Sequence, residues 1–193
     1  MDYNKIIENV LTPEEESLVR EIIDGAEESN KMHMDLYNQQ IVNFRWPDSI
    51  NQKIIGMVQE ITGLDDLELY EYQYAKYQKI PGKVLPNLTP HYDDAFDGQR
   101  FTFDFQIGGN TTWPIVLEGK EFELKNNQAL LFSGTHQIHW RTQKEFQDDE
   151  YIEMIFCHTK LKGDLQPESK EFFAIMDAKQ EMYREMYRSG GKE

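Results

Sequence analysis

The chain has 193 residues, enough for one domain with a sizeable core. Its 35 acidic residues against 20 basic ones give a net charge of −15, a surface that repels phosphate backbones and disfavours nucleic-acid binding. One cysteine, Cys157, excludes an intrachain disulfide and suits a reducing cytoplasm; residues 1–5 lack the cationic start and apolar run of a secretory signal, and no apolar stretch is long enough to span a bilayer.

Taken in chain order, Thr12-Pro13-Glu14-Glu15 opens a helix, with Thr12 as N-cap, Pro13 at the first helical position and Glu15 closing a capping box. Leu18, Ile22 and Ile23 supply its apolar face as far as Gly25, and its expected job is to cover a sheet. Residues 40–46 read as a short strand ended by Pro47, and His33 as an ordinary exposed side chain. A second helix is expected over 49–62, with Ser49 and Gln52 as a capping box, Ile54, Ile55, Val58 and Ile61 on one face, and Gly63 ending it.

From Leu67 the pattern changes to period two. Tyr70, Tyr72 and Tyr74 fall on one face of a strand, either packing in the core or walling a pocket with hydroxyls that meet a ligand carboxylate. A turn is expected at 80–83, and residues 85–90 lead into His91-Tyr92-Asp93. Strands follow at 101–107, 113–117, 121–124, 128–132, 136–141 and 151–158, separated by Gly and Asn turns, including a tight hairpin at Glu118-Gly119-Lys120. Short strands at this even spacing suggest an antiparallel sandwich or barrel. Residues 168–188 return to helix, with Phe172, Ile175, Met176 and Met182 as candidate apolar positions. The expected fold class is mainly β with flanking helices, in a single domain over 1–193.

Two segments carry chemistry. His91 and Asp93 form an H-x-D pair, and His139 lies 46 residues further on. On a strand, residues i and i+2 point to one face, about 6.5–7 Å apart at the backbone, so both H-x-D side chains can aim at one metal. Two histidines and one carboxylate on one face of a metal leave three positions open, the ligand set of non-haem Fe(II) oxygenases. His136 competes as third ligand, but three residues earlier on a regular strand it faces the other way, so His139 is favoured. Arg141 shares the face of His139, where a guanidinium could take a co-substrate carboxylate two-pronged; the alternative is a surface ion pair with Glu145, Asp148 or Asp149. His158 reads as a buried or edge histidine, and Cys157 as a small core residue.

These residues resemble the Fe(II)/2-oxoglutarate-dependent dioxygenase superfamily. His91-Tyr92-Asp93 matches its H-x-D/E, and residues 127–134 followed by Ile138-His139-Trp140-Arg141 resemble its passage into the distal histidine; the His-Trp-Arg run recurs in a bacterial and viral branch. The resemblance implies a double-stranded β-helix (jelly-roll, cupin-like) core over 67–160, with sheet-covering helices over 1–66 and a C-terminal helix and tail over 161–193. It implies Fe(II) on His91, Asp93 and His139, with 2-oxoglutarate and O2 as co-substrates and succinate and CO2 as products. The substrate would be a small molecule or an amino-acid or peptide side chain. Asp93 favours hydroxylation, since the family's halogenases lack that carboxylate. The chain departs from the family at the basic residue that usually opens the last strand and holds the far carboxylate of 2-oxoglutarate: here stand Asp148, Asp149 and Glu150. Arg141 is the first replacement, with Arg100 and Lys76 behind it and Tyr72 or Tyr74 assisting. Two rivals stay open, a cupin-like metal dioxygenase that does not use 2-oxoglutarate and a β-barrel that binds metal or ligand without turnover.

Overall fold

A computed structural model describes residues 3–28, 33–34, 40–43, 45–81, 88–93, 100–163 and 167–190. In chain order the elements are β1 (Lys5–Glu8), α1 (Pro13–Glu28), β2 (His33–Met34), β3 (Gln40–Asn43), α2 (Asp48–Thr62), β4 (Leu67–Gln78), β5 (Leu88–His91), β6 (Arg100–Gly109), β7 (Ile115–Leu117), β8 (Lys120–Phe122), β9 (Gln128–Phe132), β10 (His139–Arg141), β11 (Tyr151–Leu161) and α3 (Lys170–Arg188). The turn expected at 80–83 and the lead-in at 85–87 extend outside the described residues, as do the side chains of His33, Tyr70 and Tyr72.

The strands form two antiparallel sheets. The larger runs β1-β9-β6-β11-β4-β3-β2 and the smaller β5-β10-β7-β8. From β4 onward successive strands alternate between the sheets, with the β7–β8 hairpin counting as one step, which makes the core a double-stranded β-helix. Residues before Leu67 contribute strands as well as helices: β1 closes one edge on β9, with Lys5 opposite Leu131, and β3 lies on β4.

Three apolar clusters hold four layers together. Val19 and Ile23 of α1 and Ile50, Ile54 and Val58 of α2 pack on one face of the large sheet, against Phe101, Phe103, Phe105, Ile155 and Cys157. Between the sheets lie Ala75, Tyr77, Ile115, Leu117, Leu130, Phe132 and Met154. The outer face of the small sheet, through Val116 and Trp140, is covered by Met176, Phe172, Tyr183 and Tyr187 of α3.

Local chemistry sets the boundaries. Thr12 and Glu15 form the expected capping box: the Thr12 N–H donates to Glu15 Oε2 at 2.8 Å and the Glu15 N–H to Thr12 Oγ1 at 3.3 Å. The second helix does not use Ser49 and Gln52 this way; it starts one residue earlier, with Pro47 at the N-cap and no side-chain cap bond. Gly63 ends it in the left-handed conformation, φ 70°. Glu118 and Gly119 both take positive φ (50° and 90°) in a two-residue hairpin turn between β7 and β8, whose twist matches that of the strands. Leu18, Ile175 and Met182, expected on apolar faces, are exposed. In α3 the stripe that reaches the sheet is Phe172, Met176, Tyr183 and Tyr187, because their spacings follow the helical period across Trp140.

Candidate metal centre

Antiparallel pairing of β5 with β10 sets His139 opposite His91, and an irregularity follows immediately, before Arg141 pairs with Leu88. The two imidazoles lie side by side, ring centroids 4.2 Å apart. Asp93 follows the end of β5, and its backbone N–H donates to Gly134 O at 2.9 Å, tying the loop to the turn that precedes β10. Its Oδ1 is 3.5 Å from His139 Nε2. The candidate ligand atoms of His91, Asp93 and His139 all lie within 4.8 Å of one another.

The surroundings orient each donor. His91 Nδ1 is 2.8 Å from Thr89 O and His139 Nδ1 is 3.1 Å from Gln137 O. An imidazole that donates through Nδ1 to a carbonyl keeps the Nε2 lone pair for a metal. The Thr102 hydroxyl donates to Asp93 Oδ2 at 2.8 Å, leaving Oδ1 toward the centre. Gly134 makes that arrangement possible: a Cβ there would lie 1.9 Å from Asp93 Oδ2 and 2.3 Å from Thr102 Oγ1.

Charge is concentrated without metal. Burial would raise Asp93, but the charge and hydrogen bond of His139, with His158 and His91 nearby, hold it well below the usual carboxylate range. His139 is pushed down by burial and, more strongly, up by the charge and hydrogen bond of Asp93, so it holds its proton above the ordinary range. His91 falls to about 4 through burial and the charge of His139, against the pull of Asp93. A buried carboxylate beside two imidazoles is a site where a divalent cation can replace a proton.

Inward from the triad lies a cavity of about 130 Å³, lined by Gln73, Tyr77, Asp104, Ile115, Arg141 and His158 among others. Arg141 sits in its wall at 2% exposure. One guanidinium nitrogen donates to the Trp113 carbonyl; Nη2 is 3.9 Å from both Met154 Sδ and Asp104 Oδ2. Its buried Nε has no hydrogen-bond partner among the described residues. A guanidinium with an unsatisfied donor in a cavity wall fits a ligand carboxylate. The donor set of the triad likewise fits a first-row divalent metal with positions left open.

The other sequence candidates are placed as follows. His136 turns away from the triad, with Nε2 3.2 Å from Glu168 and its ring against Phe172. Tyr74 is on the helix-facing side of the large sheet, where its hydroxyl donates to Glu153 at 2.8 Å, not in the cavity. The backbone of Tyr72 lies in β4, and its side chain is outside the described residues. Arg100 heads β6, its N–H donating to Thr135 Oγ1 at 3.2 Å, and it does not line the cavity. The Lys76 ammonium rests 5.5 Å over the Tyr151 ring. Asp148 pairs with Lys79 at 2.6 Å and Glu150 with Lys144 at 3.3 Å, so that acidic stretch engages surface lysines and not the interior Arg141. His158, read from sequence as a bland buried or edge residue, lines the cavity with Nδ1 3.9 Å from Asp93 Oδ2. Thr102, Asp104 and Gly134 were not visible as site residues; the one available signal is the polar half of the alternating run Phe101-Thr102-Phe103-Asp104-Phe105.

Solved structures share this architecture. The α-ketoglutarate-dependent epimerase SnoN of nogalamycin biosynthesis matches with a TM-score of 0.67 and 11% identity, over 82% of this chain and 78% of its own. The viral collagen prolyl hydroxylase of Paramecium bursaria Chlorella virus-1, solved with 2-oxoglutarate, matches at 0.60 and 14%, over 83% and 97%. The chain has the fold of the 2-oxoglutarate–Fe(II) oxygenases. HygX from Streptomyces hygroscopicus, solved with nickel and 2-oxoglutarate, matches at 0.59 and 7%, over 89% of each chain. No family model matches the sequence, and no curated protein matches it either, so the relationship is visible in the fold. Among the described residues no helix is long and apolar enough to cross a membrane.

Proposed function

We propose that the chain is a non-haem Fe(II)- and 2-oxoglutarate-dependent oxygenase that hydroxylates an unactivated C–H bond of a small molecule or of an amino-acid or peptide side chain. One observation carries the reading: a two-histidine, one-carboxylate triad and an interior arginine whose Nε has no hydrogen-bond partner among the described residues line one cavity. The solved neighbours support it, since their names include prolyl hydroxylases as well as an epimerase.

In this reading His91, Asp93 and His139 hold the metal. Bound iron with 2-oxoglutarate supplies O2 activation coupled to oxidative decarboxylation of the keto acid to succinate and CO2. The protein's work is placement. Thr102 fixes the Asp93 carboxylate, and the Thr89 and Gln137 carbonyls fix the imidazoles. Arg141 takes the far carboxylate of 2-oxoglutarate from the wall of the barrel, replacing the basic residue that the acidic 148–150 segment does not provide. Tyr77, Ile115 and Phe156 narrow the cavity and exclude water. His91 and Asp93 are partly exposed while His139 is buried, so substrate approaches from the side of the H-x-D pair.

The Fe(II)-loaded protein should convert 2-oxoglutarate to succinate slowly alone and faster with a true substrate. Arg141→Gln should raise the KM for 2-oxoglutarate by about 30-fold or more, the cost of removing one partner of a buried charge pair. A KM unchanged by that substitution removes Arg141 from the role. One observation favours a cupin-like dioxygenase instead: Asp104 lies 3.9 Å from Arg141 and already offsets its charge. Oxygen uptake without any keto acid would establish that second reading.

A further inference from the structure

Asp104 has no place in the scheme above, and it is 3% exposed on the inner face of β6. It lines the same cavity as Arg141, with Oδ2 3.9 Å from Nη2, beyond hydrogen-bond reach. The Nε of Arg141, without a hydrogen-bond partner among the described residues, and the Asp104 carboxylate therefore flank one guanidinium in the wall of one small cavity. A ligand carboxylate seated on Arg141 becomes the second carboxylate there, and two carboxylates crowded in a buried site do not both stay ionised.

We infer that Asp104 is a co-substrate-binding residue: as the far carboxylate of 2-oxoglutarate settles on Arg141, Asp104 takes a proton from solvent and its carboxyl donates a hydrogen bond to that carboxylate. This rests on the proposed role of Arg141. The step balances simply: one buried carboxylate plus one solvent proton becomes one carboxylic acid, and no bond of the co-substrate changes.

The electrostatics point the same way. Burial raises the Asp104 carboxyl to about 6, against the lowering charges of Arg141, His139 and His158, and the negative charge of Asp93 adds to the rise. A bound carboxylate acts in the sense of Asp93, so the bound-state value lies higher still. Over the pH range between the two values the free protein has Asp104 ionised and the complex has it protonated. Binding then consumes a proton, and affinity falls as pH rises, by up to about tenfold per unit. The groups facing Asp104 are Arg141 and His139 from β10, His158 from β11 and Asp93 beyond β5, with Tyr77 of β4 beside Arg141. Once metal is bound, His139 and Asp93 take up no further proton, and His158 is the remaining imidazole that faces Asp104.

The test is calorimetric titration of the Ni(II)-loaded protein with 2-oxoglutarate at pH 7.5, in phosphate and in Tris. The difference in observed heat between buffers of different ionisation enthalpy counts the protons taken up. The expected result is uptake approaching one proton in wild type and in His158→Gln. Asp104→Asn should show almost none, and its affinity should be nearly flat between pH 6.5 and 8. Binding to wild type without proton uptake overturns the inference, as does uptake that survives Asp104→Asn or vanishes in His158→Gln. The wild-type measurement decides even if Asp104→Asn fails to fold. If nickel binds and 2-oxoglutarate does not, the co-substrate reading itself falls, and this inference with it.

Discussion

The two faces of β6 are both buried, and with the matching faces of β11 they do different work. Toward the helices stand Phe101, Phe103 and Phe105 with Ile155 and Cys157, an apolar face where burial also pushes the Cys157 thiol up, out of reactive range. Toward the cavity, on alternate residues of the same strands, stand Thr102 and Asp104 with His158. Phe103 is 0% exposed and Thr102 and Asp104 are 3% exposed, so depth does not separate scaffold from site. Partners do. These three polar side chains meet groups that also line the cavity: Thr102 meets Asp93, Asp104 faces Arg141, and His158 lies by Asp93. Period two lets one strand serve a core and a cavity at once.

Substitutions on the two faces should therefore fail in different ways. Phe103→Ala should cost about 3–5 kcal/mol of stability, read by chemical denaturation, while the folded fraction keeps wild-type metal affinity. Loss of metal affinity in that folded fraction would show that the faces are not independent. Gly134→Ala should do the reverse. It leaves the clusters intact but drives a methyl into Asp93 and Thr102, and Co(II) affinity should fall by about 100-fold, the upper end for a disturbed ligand support. Thr102→Val keeps the volume and removes the hydrogen bond to Asp93, and a loss of about tenfold in Co(II) affinity is expected with little change in melting. At the smallest end, Gly56→Ala on α2, where an added Cβ meets nothing within 4 Å, should stabilise the fold by about 0.5–1 kcal/mol and leave metal binding unchanged.

The same contrast explains what could be read from sequence. The strand series was legible because alternation and turn residues are local; they suggest an antiparallel sandwich or barrel, and the jelly roll came from the family resemblance. His91 and Asp93 stood out because an i, i+2 pair on a strand is local, whereas His139, 46 residues on, stood out through the strand series between and the resemblance to the family's distal histidine. The inner-face residues did not stand out. A strand covered on both sides shows the same alternation as one with a wet face, so Thr102 and Asp104 look like solvent-facing residues until both layers are known. The tyrosine row has the mirror problem: period two groups Tyr70, Tyr72 and Tyr74 on one face without saying which face, and Tyr74 proves to look toward α1, where Arg20 and Tyr74 both hold Glu153. Strand β1 needed a partner, β9, more than a hundred residues away, which no local pattern announces.

The central claim is that the triad and Arg141 together hold a metal and a keto acid. The most direct test is to add Fe(II) and then 2-oxoglutarate to the purified protein without oxygen and look for the visible charge-transfer band of a keto acid chelated to iron. The account predicts the band in wild type, its loss in His91→Ala and in His139→Ala, and a weaker band at equal 2-oxoglutarate in Arg141→Gln. Iron binding with no band in wild type, or a band that persists in both histidine variants, would contradict it.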